Sequence, residues 1–371
     1  MLIAIPSERK LRENRVALTP EVVKELVSKG FQVAIQSGAG QNSYLADTLY
    51  TEAGANIFPD AASLYQQADV ILKVNAPEPS EIALMKRGAV LISYLFATTS
   101  ADVVKACADA GVSAFSVDAI PRISRAQKMD ALSSQSNLAG YKTVLLAANA
   151  LGKIFPLLMT AAGTVKPARV VIMGAGVAGL QAIATAKRLG AIVEVSDIRP
   201  ETKEQVESLG GKFIEVKGDD SIKTEGGYVK EVSAEFLKKQ QELIAKHVSE
   251  ADIVITTALI PGKKAPMLIS AEMVRAMRAG SVIVDMAVEQ GGNCELSELN
   301  ATVVKEGVII IGESNLPSLL PLNASQLYAR NISTFLLHLA DQHAFRWELD
   351  EEITRGSLIT HGGKIVHPSL A

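Results

Sequence analysis

The chain is 371 residues long, more than one hydrophobic core usually organises, so two domains are expected. It is 48% hydrophobic and 21% charged, ordinary for a globular α/β protein, and its formal net charge of -3 argues against a nucleic-acid binder. Its two cysteines, Cys107 and Cys294, lie far apart without ligand spacing, so neither a disulfide framework nor a zinc site is expected and a reducing compartment is the natural reading.

The chain opens on a strand-like run with no signal-peptide or transit-peptide pattern. Leu2–Ile5 reads as a buried strand. Thr19 and Pro20 supply an N-cap and a first-turn proline to a helix with apolar Val22, Val23, Leu26 and Val27, and Gly30 closes it at C′. Residues 31–36, 70–74, 90–95 and 114–117 follow as strand candidates with helical segments between them. That alternation implies a parallel sheet covered on both faces. The most apolar longer stretch, 143–165, is broken by Asn149, Lys153 and Pro156 and falls short of a spanning helix. The chain is therefore expected to be soluble, with any membrane connection made through a partner.

A helical stretch over 136–150 leads into a second α/β series. Its strand candidates are Arg169–Met173, Ile192–Ser196, 212–216, 252–256, 281–286 and Val308–Ile311. A last long helix, about 324–342, is expected to return to the first domain. The expected fold is α/β: two doubly wound parallel-sheet (Rossmann-like) domains with a cleft between them. The first comprises 1–134 completed by 324–371, and the second 135–323. Only 218–231 reads as a charge-rich irregular segment.

The strongest local signal is VVIMGAGVAGL, in which Gly174, Gly176 and Gly179 form G-x-G-x-x-G between a strand and a helix that opens with Val177 and Ala178. The first glycine makes the tight turn, the second lets a pyrophosphate approach the backbone, and the third lets helix and strand pack closely. The helix start offers free N–H groups and a positive dipole end to phosphates. Asp197 ends the next strand, roughly 20 residues on, where a carboxylate meets the adenosine ribose and repels a 2′-phosphate. The segment Asp197-Ile198-Arg199 is thus assigned to the ribose of NAD(H). Arg199 either softens that preference or stands as a solvated residue at a helix start; the second is the reading adopted. Thr257, Ala258 and Leu259 follow a strand at the carboxyl end of the sheet and read as a nicotinamide-ribose contact or as strand-end packing. Asp285, ending another strand, is a weaker candidate for the same cleft.

The run PRISRAQKMDALSSQSNLAGYK, residues 121–142, is dense in polar groups. By its residues alone it is either an interdomain connector with helix caps or a loop in which Arg122, Gln127, Asp130 and Ser133 converge on a carboxamide.

This run resembles the signature of the NAD(H)-binding component (domain I) of proton-translocating nicotinamide nucleotide transhydrogenases. The resemblance extends over essentially the whole chain, through ERKLRENRVALTP, the glycine motif, TTALIPGKKAP and VDMAVEQGGNCE. It implies that Arg122, Gln127, Asp130 and Ser133 surround the nicotinamide, with Gln127 orienting the ring toward NADP(H) on a partner. It implies that Gly226-Gly227-Tyr228 belongs to a loop closing over the nucleotide, as a tyrosine flanked by glycines suits a lid. It further implies a homodimer, an NADP(H)-binding partner domain and membrane-spanning subunits that couple hydride transfer to proton movement. The expected place is the cytoplasmic face of the bacterial cell membrane.

The same plan is shared with alanine dehydrogenase, and Arg15 and Lys73 sit in segments similar to that family's substrate region. A dehydrogenase of that kind needs a general acid/base. Where that family has a lysine and a histidine, this chain has Asn75 and Phe96. The histidines His247, His338, His343, His361 and His367 lie outside the main segment of the N-terminal domain, four of them in the C-terminal tail, and read as surface or packing residues. Hydride exchange between two nicotinamides changes no O–H or N–H bond, so the missing acid/base equipment suits transhydrogenation. Two alternatives remain: an alanine-dehydrogenase-like oxidoreductase and a non-catalytic NAD sensor.

Overall fold

A computed structural model describes residues 1–215, 223–225, 228–231, 234–260 and 262–370. The chain divides into two compact units: Met1–Gln135 with Pro317–Ala371, and Ser136–Leu316.

The first unit carries β1 (Leu2–Ile5), β2 (Gln32–Gln36), β3 (Asn56–Phe58), β4 (Val70–Leu72), β5 (Val90–Ser93) and β6 (Ser113–Ser116). The second unit carries β7 (Leu158–Thr160), β8 (Gly163–Val165), β9 (Arg169–Met173), β10 (Ile192–Ser196), β11 (Lys212–Phe213), β12 (Lys223–Glu225) and β13 (Tyr228–Glu231). It continues with β14 (Ile253–Thr256), β15 (Val282–Asp285), β16 (Thr302–Lys305) and β17 (Val308–Ile311). The tail returns to the first unit as β18 (Leu358–His361) and β19 (Lys364–Ile365).

The sheet of the first unit runs in the order β19-β18-β6-β5-β4-β1-β2-β3. Its strands alternate between two buried faces: Ile3 and Ile5 enter one apolar cluster, and Ala4 enters the other. Burial on both sides is why the strands read as continuous apolar runs. The helix Pro321–Leu339 packs Tyr328, Ile332, Phe335 and Leu336 into the first of these clusters. The second unit repeats the plan as β11-β10-β9-β14-β15-β17-β16, with Val170 and Ile172 on one face and Val171 and Met173 on the other. In the first unit the strand order turns back between β1 and β4, and in the second between β9 and β14. Open α/β sheets bind ligands at the carboxyl ends of strands at such switch points.

Each sheet is parallel through its body, as expected, and adds antiparallel strands at one edge. β18 and β19 pair antiparallel at one edge of the first unit, and β16 pairs antiparallel to β17 in the second. Of the eleven expected strands, Leu2–Ile5, Arg169–Met173, Ile192–Ser196 and Val308–Ile311 have the expected bounds, five others are shorter by one or two residues, 114–117 is shifted by one residue to Ser113–Ser116, and 212–216 is described as a strand over Lys212–Phe213. Thr19 holds the N-cap position of the helix Pro20–Ser28, but its hydroxyl makes no capping bond. The stretch expected to be helical from Ser136 begins earlier, as Ala131–Ala150, so part of the polar run is helix rather than connector. Residue 216, the expected end of β11, lies outside the described residues, as do Gly226 and Gly227; Tyr228 is described as the first residue of β13. Among the described residues, no helix is long and apolar enough to cross a membrane.

Candidate functional site

In the second unit the glycine loop follows β9 and opens the helix Val177–Arg188. Each glycine answers a different demand. Gly174 has φ +110°, and a Cβ there would overlap the Thr257 hydroxyl. A Cβ at Gly179 would overlap the Gly174 carbonyl. Gly176 has an ordinary extended backbone and nothing within 4 Å of the place a Cβ would occupy, so what it contributes is open room beside the backbone.

Asp197 follows β10 and turns back onto this loop. Its Oδ2 accepts the Ala175 N–H at 2.7 Å, and its Oδ1 accepts the Arg199 N–H at 2.9 Å. Arg199 also grips the carboxylate from its side chain, Nε to Oδ1 at 3.0 Å and Nη2 to Oδ2 at 2.9 Å. The reading of Arg199 as a solvated helix-start residue is thereby corrected, since the helix begins later, at Thr202, and the guanidinium is committed to Asp197. Burial pushes the Asp197 carboxyl up, but Arg199 and the two backbone N–H groups outweigh it and hold the group below the usual carboxylate range. Ile198 beside it is exposed.

Of the two roles left open for Thr257, its side chain takes the packing one. Its Oγ1 donates toward the Met173 and Gly174 carbonyls, at 3.2 and 3.3 Å. Ala258 is half-buried, and Leu259 is exposed. Asp285 is fully buried and held entirely by protein donors, so its side chain serves the fold around β15.

Sequence reasoning missed Gly140. It lies in the helix Ala131–Ala150, and a Cβ there would overlap the Ala178 carbonyl and come within 3.0 Å of Ala178 Cα. Two helices therefore touch backbone to backbone at the first turn after the glycine loop. The available signal was a glycine inside a helix, which costs about 1 kcal/mol relative to alanine and so calls for a packing reason.

In the first unit, Ser124–Met129 forms a short 3-10 segment whose buried residues are Ala126 and Met129. Arg122 and Gln127 are exposed. Asn331 pins the segment by donating to the Lys128 carbonyl at 2.8 Å and accepting from Ser134 at 2.7 Å. Asp130 accepts the Ser133 N–H at 2.8 Å and the Ser133 hydroxyl at 2.6 Å, the geometry of a helix N-cap. The four residues thus lie on one short stretch, with Asp130 and Ser133 bonded to each other and Arg122 and Gln127 presented outward.

At the switch point of the first unit lies a buried charged cluster. Arg15 donates from Nε and Nη2 to the two Glu13 oxygens at 2.7 and 2.6 Å, and from Nη1 to Gln135 at 2.9 Å. Lys73 Nζ lies 3.2 Å from Glu81 and 3.8 Å from Glu8. Asn75 bridges two of these carboxylates, donating to Glu13 at 2.9 Å and Glu8 at 3.3 Å. Burial raises the Glu13 carboxyl, but Arg15 outweighs it and brings it down to about 2. Burial likewise opposes ionisation of Glu81, yet Lys73 and its hydrogen bonds hold that group low. Both cations that an amino-acid dehydrogenase would turn to its substrate are matched by carboxylates of the chain itself. Phe96, with φ +46°, is half exposed and stacks on Tyr94 at 5.7 Å.

The C-terminal return carries four histidines into the first unit. His338 meets Glu351 at 3.1 Å, His361 meets Ser113 at 3.0 Å, and His367 meets the Gly356 carbonyl at 3.0 Å. His343 lies 3.1 Å from Gln342, and in the second unit His247 meets Glu194 at 3.0 Å. Among the described residues, no cluster of metal-ligating side chains occurs.

A glycine loop, a carboxylate after the next strand and a switch point define the second unit as a dinucleotide-binding type of Rossmann fold. The chain belongs to the alanine dehydrogenase/PNT family. The family's N-terminal domain model matches residues 4–139, and its C-terminal domain model matches residues 143–368. The chain is 52% identical to the first part of the NAD(P) transhydrogenase alpha subunit of Rhodospirillum rubrum, over 100% of this chain and 99% of that protein. Its structure is similar to that of a transhydrogenase from Sinorhizobium meliloti, with a TM-score of 0.91 and 44% identity, covering 99% of this chain and 100% of that one. It is also similar to an L-alanine dehydrogenase, with a TM-score of 0.85 and 31% identity, covering 100% and 98%.

Proposed function

We propose that this chain is the NAD(H)-binding component of a proton-translocating nicotinamide nucleotide transhydrogenase. The observation that carries this reading is the glycine loop closed by Asp197, joined to full-length similarity to a transhydrogenase alpha-subunit polypeptide. Gly176 leaves room for a pyrophosphate, the N–H groups at the start of Val177–Arg188 face it, and Asp197 stands where an adenosine ribose hydroxyl would be read. When bound, NAD(H) supplies the hydride that is exchanged with NADP(H) held by a partner domain. Arg122, Gln127, Asp130 and Ser133 serve to fix the carboxamide and so the ring. Such exchange needs alignment at roughly 3–3.5 Å and no general base.

The matched cations at Arg15 and Lys73 favour this reading over an amino-acid dehydrogenase, because a substrate carboxylate would have to displace Glu13 or Glu81. The chain works as a homodimer on the inner face of the cell membrane, held there by membrane-spanning subunits that couple the transfer to proton movement.

The test mixes the protein with a soluble NADP(H)-binding transhydrogenase component, NADH, a spectrally distinct NAD⁺ analogue and a little NADP(H). Rapid reduction of the analogue that requires both proteins is the expected result. Folded protein that binds NADH but gives no reduction would overturn the reading. Oxidation of NADH with pyruvate and ammonia would then identify a dehydrogenase, and its absence a sensor.

A further inference from the structure

β15 ends at Asp285, a wholly buried carboxylate. It accepts from Thr256 Oγ1 at 3.2 Å, Ala287 N–H at 3.0 Å, Asn293 N–H at 2.9 Å, Cys294 N–H at 3.0 Å and Ser297 Oγ at 2.6 Å. Two successive glycines in the left-handed region, Gly291 at φ +95° and Gly292 at φ +79°, fold the chain back so that these N–H groups converge. A Cβ on Gly292 would stand 2.8 Å from Asp285 Oδ2. Donors gathered around one buried acceptor fix the Asn293 backbone.

The Asn293 side chain, itself fully buried, reaches the strand-end segment after β14. Its Nδ2 donates to the Ala258 carbonyl at 2.9 Å and the Pro266 carbonyl at 2.8 Å, and its Oδ1 accepts the Ala258 N–H at 3.0 Å. Only an amide side chain supplies both donors and the acceptor in this geometry. On the other side, Thr257 is tied to the glycine-loop carbonyls. The segment is clamped from two directions, and Leu259 leaves the clamp exposed.

Sheet order tells which half of a dinucleotide this segment meets. β10, with Asp197 after it, lies on one side of β9, and β14 lies on the other. With a pyrophosphate at the loop after β9, the adenosine extends toward β10 and the other half toward β14. We propose that Asp285 and Asn293 are positioning residues that hold Ala258 and Leu259 against the ribose–nicotinamide half of the nucleotide. This rests on the NAD(H)-binding reading above.

The test compares affinity for NADH with affinity for ADP, which lacks the nicotinamide half, in the full chain carrying Asn293→Asp. The carboxylate keeps an acceptor for Ala258 N–H but turns oxygen toward two carbonyls. Ser297→Ala, which removes the shortest bond to Asp285 with little loss of volume, gives the same comparison in a milder form should the first variant not fold. The expected result is NADH binding weakened about tenfold in Asn293→Asp, and less in Ser297→Ala, with ADP binding within about twofold of the unmodified protein, as for loss of well-placed hydrogen bonds near one half of the ligand. Equal weakening of both ligands would mark a structural role and overturn the proposal, as would unchanged NADH affinity in a folded variant. Unmodified, folded protein that fails to bind NADH would instead overturn the underlying reading, and the proposal with it.

Discussion

Asp197 and Arg199 form a two-point ion pair, 3.0 Å from Nε to Oδ1 and 2.9 Å from Nη2 to Oδ2, immediately after the strand that follows the glycine loop. Opposite charges therefore share the place where a ribose would be read. The carboxylate disfavours a 2′-phosphate, and the arginine that would favour one is matched by it. Asp197→Ala removes the anion and leaves Arg199 without that partner. NADH affinity is expected to fall about 10- to 100-fold, the weight of hydrogen bonds to a charged group, while NADPH affinity holds or rises. Titration of both nucleotides checks this; unchanged values for both would remove Asp197 from ribose recognition.

Gly140→Ala sets two effects against each other. Alanine gains about 1 kcal/mol of helix propensity. Its methyl would overlap the Ala178 carbonyl, a backbone group with no side chain to swing aside. Overpacking of this kind costs about 1–3 kcal/mol or more, so the clash wins. A fall in melting temperature of roughly 5 °C is expected, together with weaker NADH binding because the displaced turn begins the helix after the glycine loop. A melting temperature at or above that of the unmodified protein would show that the two helices separate without penalty.

What was legible in the sequence is what local chemistry decides. Arg169–Met173 and Val282–Asp285 read as strands because both sheet faces are buried, giving unbroken apolar runs over 170–173 and 282–284. The glycine spacing was legible because each position has its own steric or access requirement. Thr302–Lys305 was not, because as an edge strand it alternates exposed and half-buried residues. Leu358–His361 pairs locally only with the two-residue β19, and its place in the sheet comes from pairing with β6, more than two hundred positions away, which no window of sequence contains. The sequence around Asp130 and Ser133 leaves helix cap and ligand contact both open, because an acid three residues ahead of a serine at a helix start is an N-cap pattern as well as a pair of polar groups. Asn293 gave no signal, since its role exists only through the fold that carries it to Ala258.

The buried pair Glu13–Arg15 makes stability depend on acid pH. Glu13 sits at about 2 in the folded chain against an ordinary 4.5, a difference of about 3 kcal/mol. Because the folded value is the lower one, this stabilisation is complete above pH 4.5 and fades as pH falls toward 2. Glu13→Gln takes this counter-charge away from buried Arg15, a change that typically costs about 3–5 kcal/mol. Denaturant titrations at neutral pH should show that loss, and the gap between variant and unmodified protein should narrow between pH 4.5 and 2. A gap independent of pH would assign the effect to packing instead of charge.

Gln127 is exposed on the 3-10 segment Ser124–Met129, whose buried side anchors it through Ala126 and Met129. Its backbone is therefore fixed while its amide remains available to a ligand. If that amide orients the nicotinamide, Gln127→Asn withdraws the same chemical group by one methylene and leaves most of the nucleotide's contacts untouched. Misplacement by about an ångström is enough to slow transfer by up to about 100-fold. Hydride transfer in the reconstituted assay should slow to that degree, while the NADH dissociation constant changes little, since the proposed pyrophosphate and adenosine contacts fall to other residues. A parallel loss of affinity and rate would make Gln127 a binding residue with no special role in alignment. A variant that transfers hydride at the original rate would take Gln127 out of the mechanism and leave Arg122, also exposed, as the next candidate on the same segment.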